Sequence, residues 1–438
     1  MMLRNDDVAT PTREIRTTGW TRAGTTSEQE HPMDGSAVDS GSARSPSKTP
    51  ERADQLLDAA RTIVPILSEE AEAGEKARCI TPKALQAMQQ AGAFRMTMPR
   101  ALGGIEADPV TQYEVIEALS VGDGAAGWVA MIGSDAGYFA GRVSRELARE
   151  LFPDPDLLTC GCAAPTGKAE RVDGGYRVKG RWAFASCCKH ATWFNAACIV
   201  TEAGKPVMDE DGRPAMRTAV LPIGEVEILD NWHTTGLCGT SSNDIEVPDI
   251  FVPERRVVGR GMSGHCAEEP PSPLYVYWMM IMCNVSGVPM GIARRAIDEA
   301  CEIANGKFAY GTQDLIRDDA LLQARIGKAE TALAAARAFL IDTVDELWQT
   351  LVAEKELPLE LLSRFRMANL HGFHVAQDVT RSMYELAGSN ALYRPHPLER
   401  GLRDVTVAAN HLLVREGGYA EIGRVSLGID PKSFVLSG

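Results

Sequence analysis

Asp173-Gly174-Gly175-Tyr176-Arg177-Val178-Lys179-Gly180-Arg181-Trp182-Ala183-Phe184-Ala185-Ser186 is the stretch on which the fold turns. Tyr176, Val178, Gly180, Trp182 and Phe184 alternate with Arg177, Lys179 and Arg181. A period of two puts the first set on one face of a half-buried strand and the arginines and lysine on the other. Asp173-Gly174-Gly175 just before it is a hairpin turn signal, because glycine supplies the positive φ that tight turns need. Apolar runs at 194–200, 218–222 and 245–252 continue the pattern, and Pro248 and Pro253 bound the last. Together they predict a β domain over 158–270.

On both sides the period changes to that of a helix. Upstream, Ala53, Leu56, Leu57, Ala60, Ile63, Val64 and Leu67 recur at steps of three and four. Thr81 before Pro82 is a cap followed by a first-turn proline, and Gly92 a helix stop. Residues 109–122 and 124–152 read as further helices. The predicted helical domain is 51–157. Downstream, Ile292, Ala293, Ala296, Ile297, Ala300 and Ile303 form one stripe, and Leu322 to Leu347 a longer one. Pro358 opens a third helix that Gly388 ends, and a fourth is expected from about Leu402 to Arg415. Four such stripes predict a four-helix bundle over 271–438. Residues 1–50 are Thr-, Ser-, Gly- and Pro-rich, almost without aliphatic side chains, and are expected to be a disordered tail. The fold class is α+β, in the order helical domain, β domain, helical bundle.

A chain that is 45% hydrophobic and 24% charged can bury a large core. Its formal net charge of −14, with no dense basic run, argues against a nucleic-acid partner. No stretch approaches the roughly 18 apolar residues of a membrane span, and the N-terminus lacks the order of a secretory signal. The ten cysteines show no paired CxxC spacing. Free thiols in a reducing cytoplasm and no metal are therefore expected. No GxGxxG word follows a strand, so no nicotinamide-binding unit is expected in this chain.

Several words along the chain share the order found in one family. Gly127-Trp128-Val129-Ala130, the strand quoted above, His190 with Trp193, Gly236-Leu237-Cys238-Gly239-Thr240-Ser241-Ser242, Pro397-Leu398-Glu399-Arg400 and Arg403-Asp404 resemble the acyl-CoA dehydrogenase fold. That fold has an N-terminal α-helical domain, a middle β-barrel domain and a C-terminal four-helix bundle. Dehydrogenases of the fold place a catalytic glutamate about eight residues after Arg-Asp. Here that position is Leu412, preceded by His411. The chain instead resembles the oxygenase component of two-component flavin-dependent monooxygenases, which place a histidine after Arg-Asp and a serine at the strand end. The resemblance implies reduced flavin (FADH2 or FMNH2) and O2 as co-substrate. It also implies a C4a-hydroperoxide that oxygenates a small, mainly apolar, aromatic substrate. A separate NAD(P)H:flavin reductase and a homotetramer are the implied partners. The alternative is an acyl-CoA dehydrogenase-like FAD oxidoreductase with Glu416, in Arg415-Glu416-Gly417-Gly418, as a displaced base.

The same resemblance assigns residues. Ser186 and His411 are the implied catalytic pair, the serine near flavin N5 and the histidine as acid or base, for which a pKa near 6.5 suits. Trp128, Ser186, His190, Trp193, Gly388 and Ser389 are the implied flavin contacts. Asp135 and His411 are the implied substrate contacts, Asp135 standing where relatives often carry a histidine. Each has a structural alternative: a strand-end serine bonding local backbone, a packed histidine, a core tryptophan, a helix-stop glycine. Two details depart from the family. Ser186 precedes Cys187 where glycine is usual, so the local turn is expected to differ, because a side chain resists positive φ. Asp135 puts simple phenol hydroxylation in doubt.

Overall fold

The computed structural model describes residues 52–259, 272–394, 396–433 and 435–436. The expected tail at 1–50 lies outside the described residues. Five helices come first: α1 (Ala53–Ala77), α2 (Pro82–Gln90), α3 (Pro109–Gly122), α4 (Gly124–Gly141) and α5 (Arg145–Leu151). Their starts follow from capping. Thr81 accepts from the Ala84 N–H, Asp108 from Val110 and Thr111, and Asp123 from Ala125 and Ala126. The helix expected over 124–152 is two helices, because Arg142–Ser144 leave helical geometry and Ser144 caps α5 through the Leu147 N–H. α4 is buried on nearly every side: of its 18 residues all but Ile132 and Asp135 are buried.

The strands follow: β1 (Thr159–Val172), β2 (Gly175–Trp182), β3 (Trp193–Glu202), β4 (Lys205–Pro206), β5 (Met216–Pro222), β6 (Glu227–Ile228), β7 (Ile245–Pro253) and β8 (Val257–Gly259). They join in the order β6-β7-β2-β1-β3-β5-β8, with β4 paired to β3. β1 and β3 run parallel, and the other pairs are antiparallel. Among the described residues, the hydrogen-bonded sheet of this middle domain has β6 and β8 as its end strands. The alternation in β2 is as read: Tyr176, Val178 and Trp182 are buried, and Arg177, Lys179 and Arg181 exposed. Phe184 breaks it. The strand stops at Trp182, Phe184 takes φ +62°, and its ring is 72% exposed.

Trp182 is fully buried over Gly167, and its indole N–H donates to the Ala197 carbonyl at 2.7 Å. A Cβ on Gly167 would lie 1.9 Å from the Trp182 ring. Gly167→Ala is therefore expected to destabilise the protein by about 1–3 kcal/mol, the cost of overpacking a filled core, measured by denaturant unfolding.

The last third contains α6 (Pro273–Val276), α7 (Gly287–Gly306), α8 (Ala320–Val352), α9 (Leu359–Ala387), α10 (Pro397–Ala408) and α11 (Gly418–Ser426). α7, α8, α9 and α10 pack on one another, and α11 lies against α9. α10 starts earlier and ends earlier than the expected 402–415. His411 therefore does not share a helix face with Asp404; it sits beyond the helix end in extended geometry, φ −60° and ψ 138°.

One junction ties the three parts together. Arg403 of α10 pairs with Glu399 and with Glu75 of α1, and donates to the Thr235 carbonyl beyond β6. Asp404 accepts the Leu237 N–H at 2.6 Å. Arg403 and Asp404 thus serve different neighbours, and their work is to dock domains. Gly236 is needed there because a Cβ would lie 2.2 Å from the Arg403 carbonyl oxygen.

Candidate active site

Trp128, Ser186 and His411 are brought together from α4, the turn after β2, and the segment after α10. Trp128 Nε1–H donates to Ser186 Oγ at 3.2 Å. The His411 ring meets the Trp128 indole edge-on, with centroids 5.7 Å apart and planes at 70°. All three come from different parts of the chain, so the cluster exists only in the docked protein.

Behind Ser186 runs a buried line of hydroxyls. Ser186 Oγ lies 2.7 Å from Ser242 Oγ, and Ser242 Oγ 2.7 Å from Thr240 Oγ1. Thr240 Oγ1 donates to the Leu237 carbonyl at 2.8 Å. Each hydroxyl has one proton to give. With Thr240 donating to a carbonyl, Ser242 donates to Thr240 and Ser186 to Ser242. Ser186 also accepts from Trp128, so its oxygen keeps one free lone pair and no proton: toward a ligand it is an acceptor. Thr240 and Ser242 were legible only as part of a family word. Their partnership with Ser186 depends on the approach of two turns about 55 residues apart, which the sequence does not show.

The turn carrying Ser186 takes positive φ at Cys187 itself. Cys187 adopts φ +70°, its thiol is fully buried, and its N–H donates to the Thr240 carbonyl at 2.9 Å. The side chain is carried in a conformation that favours glycine, at a cost of about 1–2 kcal/mol. Phe184, two residues before Ser186, also has positive φ and stands exposed beside Trp232. Sequence reading placed it on the buried strand face.

His411 is enclosed, and its Nδ1 has no hydrogen-bond partner. Burial, with the charges of Arg366 and Arg415, pushes its pKa down to about 4. The imidazole is therefore neutral across the neutral range. Arg366, on α9, is itself 7% exposed, and its Nε faces Glu421 Oε2 at 3.6 Å, an ion pair without a hydrogen bond. Gly418 lets it fit, since a Cβ there would lie 2.7 Å from Arg366 Nη2. Arg366 was not legible as a site residue.

Asp135 lies seven residues after Trp128 on α4, two turns on along the same face. Its Oδ1 is enclosed without a partner, and burial alone holds its carboxyl well above the usual range. The remaining expected flavin contacts are less central. His190 Nε2 sits 3.1 Å from Cys79 Sγ, and burial lowers its pKa. Trp193 donates to the Leu151 carbonyl at 2.8 Å and lies under Arg256. Gly388 and Ser389 are exposed in the turn that ends α9, where a Cβ on Gly388 would meet nothing within 4 Å. Glu416 is exposed. Among the described residues no group of three or more His, Cys, Asp or Glu could hold a metal, and all nine described cysteines are free.

The donor set fits a flavin. Ser186 offers an acceptor, His411 an unpaired enclosed nitrogen, Phe184 an exposed ring, and Trp128 joins the first two. The family descriptions "Acyl-CoA dehydrogenase, N-terminal domain" and "Acyl-CoA dehydrogenase, C-terminal domain" match residues 50–148 and 284–416. The chain is 31% identical to an indole-3-acetate monooxygenase of Pseudomonas putida, over 82% of this chain and 90% of that one. It is 32% identical to HsaA, the oxygenase subunit of a flavin-dependent monooxygenase of Rhodococcus jostii, over 88% and 96%. The crystal structure of HsaA from M. tuberculosis superposes with a TM-score of 0.80 at 28% identity, covering 88% of this chain and all of that one. The fold and site therefore define the acyl-CoA dehydrogenase fold. The chain belongs to the flavin-dependent monooxygenases built on it, as an oxygenase component. Such a component works with flavin reduced elsewhere, and the dehydrogenase alternative is set aside with its exposed Glu416. No described helix is long and apolar enough to cross a membrane.

Proposed function

We propose that this enzyme inserts one oxygen atom from O2 into a small, mainly apolar aromatic substrate, with Ser186 and His411 as its catalytic residues. The observation that carries the reading is the convergence of Trp128, Ser186 and His411, with an enclosed, unpaired imidazole nitrogen at its edge. Bound reduced flavin supplies the activation of O2. Ser186 Oγ, an acceptor by its hydrogen bonds, holds the flavin N5–H that only the reduced ring carries. His411, neutral, takes a proton from the substrate or returns one. Phe184 and Trp128 wall the flavin. His190 and Trp193 steady the turn and strand beside it, and Gly388 and Ser389 meet the flavin tail of a second subunit in a homotetramer. A separate NAD(P)H:flavin reductase supplies the reduced flavin in the cytoplasm. The relatives support this by their names: one acts on indole-3-acetate, and another is an FADH2-dependent resorcinol hydroxylase.

The test supplies the protein with a flavin reductase, NADH, ¹⁸O2 and a panel of phenols and indoles. One labelled oxygen per product is expected. Complete recovery of reducing equivalents as H2O2 across the panel would overturn the aromatic assignment.

Two further results are expected. Ser242→Ala frees the Ser186 proton to turn outward, so the preference for reduced over oxidised FMN narrows by roughly tenfold, one buried hydrogen bond. Equilibrium titration with both flavins measures it. Arg366→Met removes a positive charge beside His411. Its pKa rises from about 4, and the acid limb of kcat/KM moves up toward pH 6.5.

A further inference from the structure

We propose that Asp135 is the polar end of the substrate cavity and acts as an undissociated acid, hydrogen-bonding an N–H or O–H of an uncharged aromatic substrate. This rests on the oxygenase reading above and names the class of substrate. Every residue of α4 is buried except Ile132 and Asp135, three residues apart on the face that begins at Trp128. These are the two positions of the helix left open enough to face a ligand. That face runs from the indole that touches Ser186 and His411 to the carboxyl of Asp135. The seven-residue separation is a rise of roughly 10 Å, room for one or two fused rings.

The carboxyl has the marks of a group without its partner. Oδ1 is enclosed and makes no hydrogen bond. No Lys, Arg or His is among the groups that act on it; burial is the one cause of its displacement. The titratable groups that sense it are Tyr138 on the same helix, Cys187 in the flavin turn and Cys283 before α7. Burial raises the pKa of all three, so each is neutral. The Tyr138 hydroxyl is engaged by Gln112 Oε1 and the Met280 carbonyl. A buried, unpaired charge is costly, so the acid keeps its proton. In that form it donates through one oxygen and accepts through the other. A substrate anion would find no cation there. Packing alone gives no reason for a carboxyl at this place: an apolar side chain would fill it without the desolvation cost.

The experiment uses Asp135→Asn and Asp135→Leu, with four probes: indole, 1-methylindole, tryptamine and indole-3-acetate. Wild-type protein is expected to bind indole about tenfold or more tightly than 1-methylindole, the loss of one buried hydrogen bond. Asp135→Asn keeps that preference and Asp135→Leu abolishes it. The wild-type infrared spectrum at pH 8 shows a carboxylic-acid C=O band that Asp135→Asn removes. Both variants unfold at higher temperature than wild type, by a margin that grows with pH. The sign follows because the unfolded chain releases the Asp135 proton near pH 3.9 while the folded one keeps it, so wild-type stability falls as pH rises. Equal binding of indole and 1-methylindole, absence of the infrared band, or tightest binding of tryptamine or indole-3-acetate with its loss in Asp135→Asn would each overturn the proposal. The infrared and unfolding readouts do not involve oxygenation, so they stand or fall apart from the proposed reaction.

Discussion

His411→Ala is expected to lower kcat/KM for oxygenation by about 10²–10⁴-fold, the usual contribution of a general acid or base. NADH and O2 consumption continue, with H2O2 replacing product, because Ser186 and Trp128 are untouched. The wild-type pH profile carries the same claim. A pKa of about 4 keeps the imidazole neutral above pH 5, so kcat/KM shows no inflection near 6.5 and falls only as pH approaches 4. The stability sign agrees. In the unfolded chain the histidine protonates near 6.5, in the folded one near 4, so stability is lost as pH drops through that window. His411→Asn, which cannot titrate, is expected to unfold less readily in acid. An inflection near 6.5 that persists in His411→Asn would assign the proton transfer to another group.

Ser186→Ala is the second large effect. It removes the acceptor of Trp128 Nε1–H, leaving that buried donor without a partner, and the donor to Ser242, which keeps only Thr240. It also removes the free lone pair assigned to the flavin N5–H. Lost hydrogen bonding of this kind costs about 1–3 kcal/mol at the cofactor, roughly a five- to hundredfold drop in affinity for reduced flavin. Product per NADH falls with it, and H2O2 rises. Ser186→Thr keeps the hydroxyl and is expected to recover much of the coupling. Full coupling in Ser186→Ala, measured as product against H2O2, would remove the serine from the reaction.

What the sequence made legible was local. Thr81 and Pro82 mark the start of α2, and Gly92 and Gly388 mark ends, because caps and stops act within a few residues. The alternation in β2 was equally readable. Phe184 escaped because the alternation carries past Trp182 on paper while the backbone turns with positive φ. The break at Arg142–Ser144 escaped because apolar residues continue across it. His411 was assigned by the family resemblance, on a helix expected to reach Arg415 that ends at Ala408. The site itself was legible as a set of residues and not as an arrangement. Nothing local in Ser186 announces Ser242, and nothing in His411 announces Arg366. Both are meetings of segments that only docking makes neighbours.

That docking has a chemical signature of its own. Asp404, fully buried in the junction, has its pKa pushed up to about 7 by burial and by the neighbouring Asp123. The unfolded aspartate titrates near 3.9, so between those values the folded chain holds a proton that the unfolded chain does not. Assembly of the three parts is therefore accompanied by proton uptake from the medium. Calorimetric unfolding near pH 6 should return an apparent enthalpy that depends on the buffer's own heat of ionisation, and Asp404→Asn should reduce that dependence. The energy holding the junction together is thus exchanged partly with the solvent, as hydrogen ions.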